Sequence, residues 1–286
     1  MGEQADLIFN SDLSGLNMGS AWLGMIAYTF QIYFDFSGYS DMAIGLGLLF
    51  NIKLPINFNS PYKATSIIDF WRRWHITLSR FLRDYLYFPL GGNRKGEVRR
   101  YQNLFITMIL GGLWHGAGWT FVAWGALHGC YLIINHTWLN VRAYFGWNTV
   151  NESPFGNGMS RMLTLLAVIV GWVFFRAETF SGAWQIIAGM SGKNGAALPN
   201  SILEFAPFLG NFATGYSRIP LLAGGTLTGL FEMIGLYSIG IAIICMPNMG
   251  QTTWRTKLVA VILTFYFTIQ GILFEREPSE FLYFQF

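Results

Sequence analysis

Apolar positions in this chain come in long unbroken runs, not in the narrow stripes that soluble helices show. Leu13–Phe34 is free of charge for 22 residues, and Tyr101–Val141 carries no Asp, Glu, Lys or Arg over 41. At about 1.5 Å per helical residue, the first run can cross a hydrocarbon layer of about 30 Å once and the second roughly twice. Met162–Phe175 is shorter, but Arg161 and Arg176 close it, and their long stems can snorkel and extend it to a span. Leu221–Met246 is long enough to cross but holds Glu232, and Leu258–Phe274 reads as a span between Lys257 and Glu275. The pattern predicts an all-α protein, a polytopic transmembrane helical bundle with interfacial and broken helices. It forms one membrane domain over 1–286, with 1–19 as a loop and 20–286 as the helical core.

The polar interruptions mark the rest. Gln31–Asp41 places Asp35 and Asp41 six residues apart, with Ser37, Tyr39 and Ser40 between them. Polar groups wedged between apolar runs are expected at a span end, in a loop between two spans, or against a water-lined cavity. Asn51–Ala64, with Pro55, Pro61 and three Asn, reads as a surface connection. Thr65–Phe88 is predicted as one helix, capped by Thr65 or Ser66 with Asp69 in its first turn. On it Trp71, His75 and Ser79 share a face, and Asp69 reaches Arg72 or Arg73 one turn on. That helix mixes too many arginines with aromatics to span, so it lies in the interface or against protein. Pro89–Asn93 ends it, and Arg94–Arg100 is a basic turn. The run Tyr101–Val141 divides into a helix Asn103–Leu113, a break at His115 and a helix Thr120–Trp138. Residues 146–160 are Gly/Asn/Ser-rich and expected as a loop, and Ala183–Met190 is an amphipathic piece.

Composition agrees with a membrane chain: of 286 residues 53% are hydrophobic and 12% charged, with mean hydropathy +0.39. Soluble domains carry about 25% charged residues. The net charge is only +3, yet nine of the 18 Lys and Arg fall between Lys63 and Arg100, which puts that segment on the cytoplasmic side. No soluble basic domain surrounds the cluster, so nucleic acid is not the expected partner; membrane lipid is. Cys130 and Cys245 both sit in apolar runs and are expected as buried, inert thiols.

His115 is the chemical focus. It stands in Leu110–Trp119 among Gly111, Gly112, Gly116 and Gly118, at membrane depth, where an ionisable group is costly and faces a bundle interior or a cavity. The glycines let backbones approach closely or let a helix break beside a cavity. Either His115 is a catalytic base in a tunnel, or it hydrogen-bonds between packed helices whose glycines serve contact alone. Arg72 and Arg73, flanking His75, could hold phosphates of an anionic donor or lipid headgroups. His75, His115, His128 and His136 are not spaced as metal ligands on one turn, so no metal is expected.

Four stretches together carry a resemblance: Gln31–Gly45, Asp69–Ser79 with Phe-Trp-Arg-Arg-Trp-His, Tyr87–Asn93, and Gly111–Ala117 with Trp-His-Gly. They resemble the membrane-bound O-acyltransferase (MBOAT) family, most of all its alginate O-acetyltransferase type and less its D-alanyl-transferring members. Gly171–Glu178 and the closing Phe-Gln-Phe also look like the alginate type. Such members carry further spans ahead of the Gln31 motif, so the resemblance implies the C-terminal part of a longer protein. It also implies an intramembrane transferase in the cytoplasmic (inner) membrane, with His115 catalytic and His75 the second motif histidine. Trp71, Arg72, Arg73, Trp74, Asp35, Tyr39, Asp41 and Trp114 are the candidates for substrate contact. No bound cofactor is implied. Acetyl-CoA or a similar acyl thioester is the expected donor, and an extracytoplasmic polysaccharide is the acceptor, reached directly or through a partner acetyltransferase. A neutral imidazole can take the hydroxyl proton or carry the acyl group itself, while His75 or N–H groups near Gly116 stabilise the oxyanion. Two other readings fit the residues. One is a proton-coupled transporter using His115, Asp35, Asp41 and Glu232; the other is a non-catalytic membrane scaffold.

Overall fold

The computed structural model describes residues 2–9, 13, 15–147, 153–195, 235, 237–242 and 246, and among these the chain is helical with no strand. The expected spans Leu221–Met246 and Leu258–Phe274, with Glu232, Cys245 and the closing Phe-Gln-Phe, lie wholly or mostly outside the described residues.

Helix α1 (Gly2–Phe9) forms where a loop was expected. Its Asp6 takes an ion pair from Arg176 at 3.1 Å, and the same guanidinium lies 5.3 Å above the Phe9 ring. The partner is 170 residues away in the chain, so no local signal announces it. Helix α2 (Met18–Leu49) is capped by Asn17, whose Oδ1 accepts from the Ser20 N–H at 3.0 Å. It corrects the expectation of a span ending near Phe34: the helix runs unbroken through Asp35–Asp41. No proline interrupts it, and polar residues cost only tenths of a kcal/mol each in a helix that packing already supports.

The largest correction is at Trp74–His75. One helix was expected from Thr65 to Phe88, but the chain forms α3 (Ile67–Arg73), a break, α4 (Ile76–Leu82) and a single π-helical turn at Arg83–Tyr87. Ser66 caps α3 as expected. His75 takes φ +42°, ψ +56°, a left-handed conformation that costs a non-glycine residue roughly 1–2 kcal/mol. Trp71, His75 and Ser79 therefore do not share a face. The irregular segment before the 3₁₀ turn Pro61–Lys63 holds the break open, since Asn59 N–H donates to Arg73 O and Ile76 N–H donates to Asn57 O, both at 2.9 Å.

Helix α5 (Glu97–His115) starts one turn and a half earlier than Asn103, absorbing most of the basic turn. Gly116–Gly118 then break the chain as expected, and α6 (Trp119–Tyr144) returns antiparallel. These two make the most extensive helix pair. Helix α7 (Pro154–Arg176) begins inside the expected loop, because Ser153 caps it and Pro154 takes the first helical position, where a missing N–H costs nothing. Among the described residues α7 is the one helix long and apolar enough, by itself, to cross a membrane. Helix α8 (Phe180–Met190) covers the expected amphipathic piece and packs on α2 and α7. Cys130 is a free thiol but exposed, not buried: an apolar run says nothing of which face meets protein.

Candidate active site

Glycines bring α5 and α6 together and thereby place His115. A Cβ on Gly112 would stand 2.3 Å from Phe121 O, and one on Gly125 2.4 Å from Met108 O, so both positions are closed to any other side chain. Gly112 thus serves helix contact, while Gly116 serves the break, its absent Cβ leaving room for the Phe121 ring. At the end of α5, the His115 ring is met by Phe175 at 4.9 Å and Trp124 at 5.3 Å, both near edge-on, and by Trp114 at 4.9 Å.

A cavity of about 310 Å³ opens beside it. Helix α2 gives Ile32, Asp35 and Phe36 to its wall, the α3–α4 break gives Trp74 and His75, α5 gives Trp114 and His115, α6 gives Trp124, and α7 gives Trp172 and Phe175. Five of the expected residues, Asp35, Trp74, His75, Trp114 and His115, therefore meet in one place. Phe36, Trp124, Trp172 and Phe175 were not expected there. Trp172 and Phe175 fall in a stretch the family resemblance marks, and their i, i+3 spacing puts both on one face of α7. Tyr39 and Asp41 lie further along α2, exposed and outside this lining, which leaves the four-group proton path without one of its members at the cavity.

His75 lies in the break between two helices of seven residues, about 10 Å each, too short to span. Burial first, and then neighbouring His115, push its imidazole from 6.5 down to about 3, so it is neutral at pH 7. Its Nδ1 lies 3.1 Å from Asn57 Oδ1. Asn57 is one of three Asn in the connection Asn51–Ala64, and no motif in the sequence sets it apart from the other two.

Behind the cavity wall lies a second, larger groove of about 570 Å³. Arg72, Arg80, Arg83 and Arg100 edge it, and Trp71, Leu104, Met108 and Leu132 are among its apolar walls. Arg83 pairs with Asp84 at 2.7 Å, which holds that carboxyl below the usual carboxylate range, and Arg100 donates to His136 Nδ1 at 2.6 Å. The guanidinium groups of Arg72 and Arg80 make no hydrogen bond among the described residues. Arg73 is not part of this group: it closes on Asp69 at 2.7 Å, as the helical spacing allowed. Trp71, on the groove's wall, meets the cavity residue Trp124 edge-on at 5.8 Å, and its Nε1–H donates at 3.3 Å to Nδ1 of His128, a fully buried histidine that also packs on Trp124. Among the described residues no three His, Cys, Asp or Glu side chains gather as metal ligands.

Two imidazoles facing one aromatic cavity from separate segments, with a cationic groove behind the wall, make a helical scaffold equipped to move protons on a bound substrate. The chain belongs to the membrane-bound O-acyltransferase family, whose model matches residues 16–175 and so spans α2 to nearly the end of α7. It is 41% identical to a peptidoglycan O-acetyltransferase of Helicobacter pylori over 289 residues, 99% of this chain and 52% of that protein. It is 53% identical to a probable alginate O-acetylase of Pseudomonas aeruginosa over 173 residues, 60% of this chain and 31% of the relative. A teichoic acid D-alanyltransferase of Streptococcus thermophilus is 32% identical over 165 residues, 53% of this chain and 40% of the relative. The chain thus spans about half the length of the first of these relatives.

Proposed function

We propose that the protein is a multi-pass enzyme of the cytoplasmic membrane that transfers an acyl group, acetyl in the first instance, to hydroxyls of an extracytoplasmic polysaccharide. The observation that carries this reading is the convergence of His75 and His115, 40 residues apart in sequence, on one aromatic-walled cavity with Asp35. His115 takes the proton of the attacking hydroxyl, or carries the acyl group, and the thioester of acetyl-CoA or a similar donor supplies the leaving thiol. The names of the relatives support acetyl as the group and a surface polymer of the alginate or peptidoglycan kind as the acceptor. The lengths of α2, α5, α6 and α7 support several crossings, and the basic stretch Lys63–Arg100 supports a cytoplasmic donor side.

Mass spectrometry of cell-surface polysaccharide tests the reading directly. Deleting the gene removes the O-acetyl groups, and the wild-type gene restores them; unchanged acetylation in the deletion strain sinks it. The groove adds a second expectation, because Arg72 and Arg80 have charge to offer the donor's phosphates. Arg72→Gln with Arg80→Gln raises KM for the donor by roughly threefold to thirtyfold, from up to about 1 kcal/mol per exposed guanidinium. The effect shrinks as salt rises, while kcat stays near wild type. An unchanged KM would assign these arginines to lipid headgroups instead.

A further inference from the structure

We infer that Asn57 is a positioning residue that fixes His75 as the Nδ1–H tautomer, so that His75 meets a bound substrate as a hydrogen-bond acceptor through Nε2. The inference rests on the two-histidine cavity proposed above as the reaction site.

The hydrogen-bond geometry leaves one consistent assignment. Thr77 N–H can only donate, and it lies 3.2 Å from the Asn57 amide atom assigned as Oδ1, which makes that atom the oxygen. Thr77 Oγ1–H donates to the same oxygen at 2.9 Å. The other amide atom, Nδ2, is directed at Ser40 Oγ at 3.4 Å. His75 Nδ1, 3.1 Å from that oxygen, must then carry the hydrogen, and the neutral ring is left with its lone pair on Nε2. Thr77 Oγ1 is a poor rival donor to Nδ1, since it is 3.5 Å away and spends its hydrogen on Asn57.

The backbone fixes the ring as well. Asn57 O accepts from Ile76 N–H, the residue after the left-handed turn at His75, so one asparagine grips the break through main chain and side chain together. Phe36 closes one side of the ring edge-on at 4.8 Å. The titratable groups that share the cavity with His75 are Asp35 on α2 and His115 on α5. His115, by contrast, makes no hydrogen bond among the described residues, so both of its tautomers are open. The two imidazoles are therefore not equivalent. His75 offers the cavity a lone pair and no N–H, so the oxyanion must draw its N–H donor elsewhere, and His115 is free to take a proton and return it.

The test uses ¹⁵N-histidine-labelled protein in lipid nanodiscs, with the His75 signals assigned from a His75→Gln variant. Nδ1 of His75 is protonated in the wild type and in Asn57→Asp, which keeps the accepting oxygen, whereas Asn57→Ala shifts the ring to a mixture or to Nε2–H. A wild-type ring protonated at Nε2, or an Asn57→Ala ring still protonated only at Nδ1, overturns the inference. Kinetics supply the second readout. Asn57→Ala lowers kcat between about tenfold and about 10⁴-fold with KM nearly unchanged, the range from a lost orienting partner to a wrong tautomer. Asn57→Asp retains turnover at high pH but loses it at a higher pH on the acid side, since the added carboxylate favours the charged imidazole that cannot accept. Equal kcat in Asn57→Ala and wild type also overturns the role. Absence of any acyl transfer by the wild type defeats the proposed function alone, because the tautomer is read without turnover.

Discussion

Replacing His115 by Ala leaves the protein in the membrane at its normal level and abolishes acetylation of the polymer. The expectation follows from where the side chain sits. It ends α5, half-buried, with its ring against Phe175, Trp124 and Trp114 and its open edge on the cavity. No hydrogen bond among the described residues depends on it, so its removal trims ring contacts at a partly open site and leaves the α5–α6 contact intact. Proton transfer by a placed imidazole is worth roughly 10²–10⁴ in rate, and a covalent role makes the loss larger. The measurement is mass spectrometry of the polymer beside membrane fractionation of the variant. Wild-type-like acetylation would rule the role out. The same variant separates the two chemistries. When the wild type is given donor alone and quenched, an acyl group recovered on His115 identifies a nucleophile. An unmodified His115 in fully active protein identifies a base.

How far the sequence foretold this arrangement depends on whether the cause was local. The charge-free run Tyr101–Val141 gave two helices with His115 at the break, because apolar continuity and a cluster of glycines act through neighbouring residues. Ser66 as a cap and Asp69 beside Arg73 were legible for the same reason. The break at His75 was not, since neither Gly nor Pro marks it and the groups that hold it open, Asn57 and Asn59, come from a separate loop. For Asp35–Asp41 polarity alone leaves a span end, a loop and a water-lined cavity equally open; in the fold Asp35 and Phe36 line the cavity, Tyr39 and Asp41 are exposed, and the helix runs on through all of them. The aromatic walls Trp124, Trp172 and Phe175 were hidden among the 26 Phe and 11 Trp of the chain, of which any could have been an interface anchor. Arg72 and Arg73, adjacent and alike in sequence, part company because a helix turns about 100° per residue: one edges the groove and the other closes on Asp69.

Gly125→Val dissolves the α5–α6 contact and takes the proposed reaction site with it. The two glycines Gly112 and Gly125 are reciprocal, each facing the opposite backbone: Gly125 looks onto Met108 O and Ile109 Cα, and Gly112 onto Phe121 O and Gly125 Cα. Close approach of small residues is how helices associate where lipid removes the hydrophobic drive between them. A Cβ at position 125 would sit 2.4 Å from a carbonyl oxygen that belongs to a helix and cannot rotate away, so the helices must separate by the order of 1 Å. Overpacking against yielding side chains costs about 1–3 kcal/mol, and against fixed backbone more, which is a large share of a margin of about 5–15 kcal/mol. Where the variant survives, His115 is displaced at the end of α5, and a shift of about 1 Å costs roughly 10²-fold in rate. Gly158→Ala is the matched control, since a Cβ there meets nothing within 4 Å and replaces a glycine in α7 by a better helix former. Thermal unfolding in detergent and acyl transfer in membranes, read together, give Gly125→Val a lower midpoint and a lost activity while Gly158→Ala keeps both. A Gly125→Val protein that melts and turns over like the wild type would show that the two helices do not need the contact, and that His115 is placed by the aromatic walls of the cavity instead.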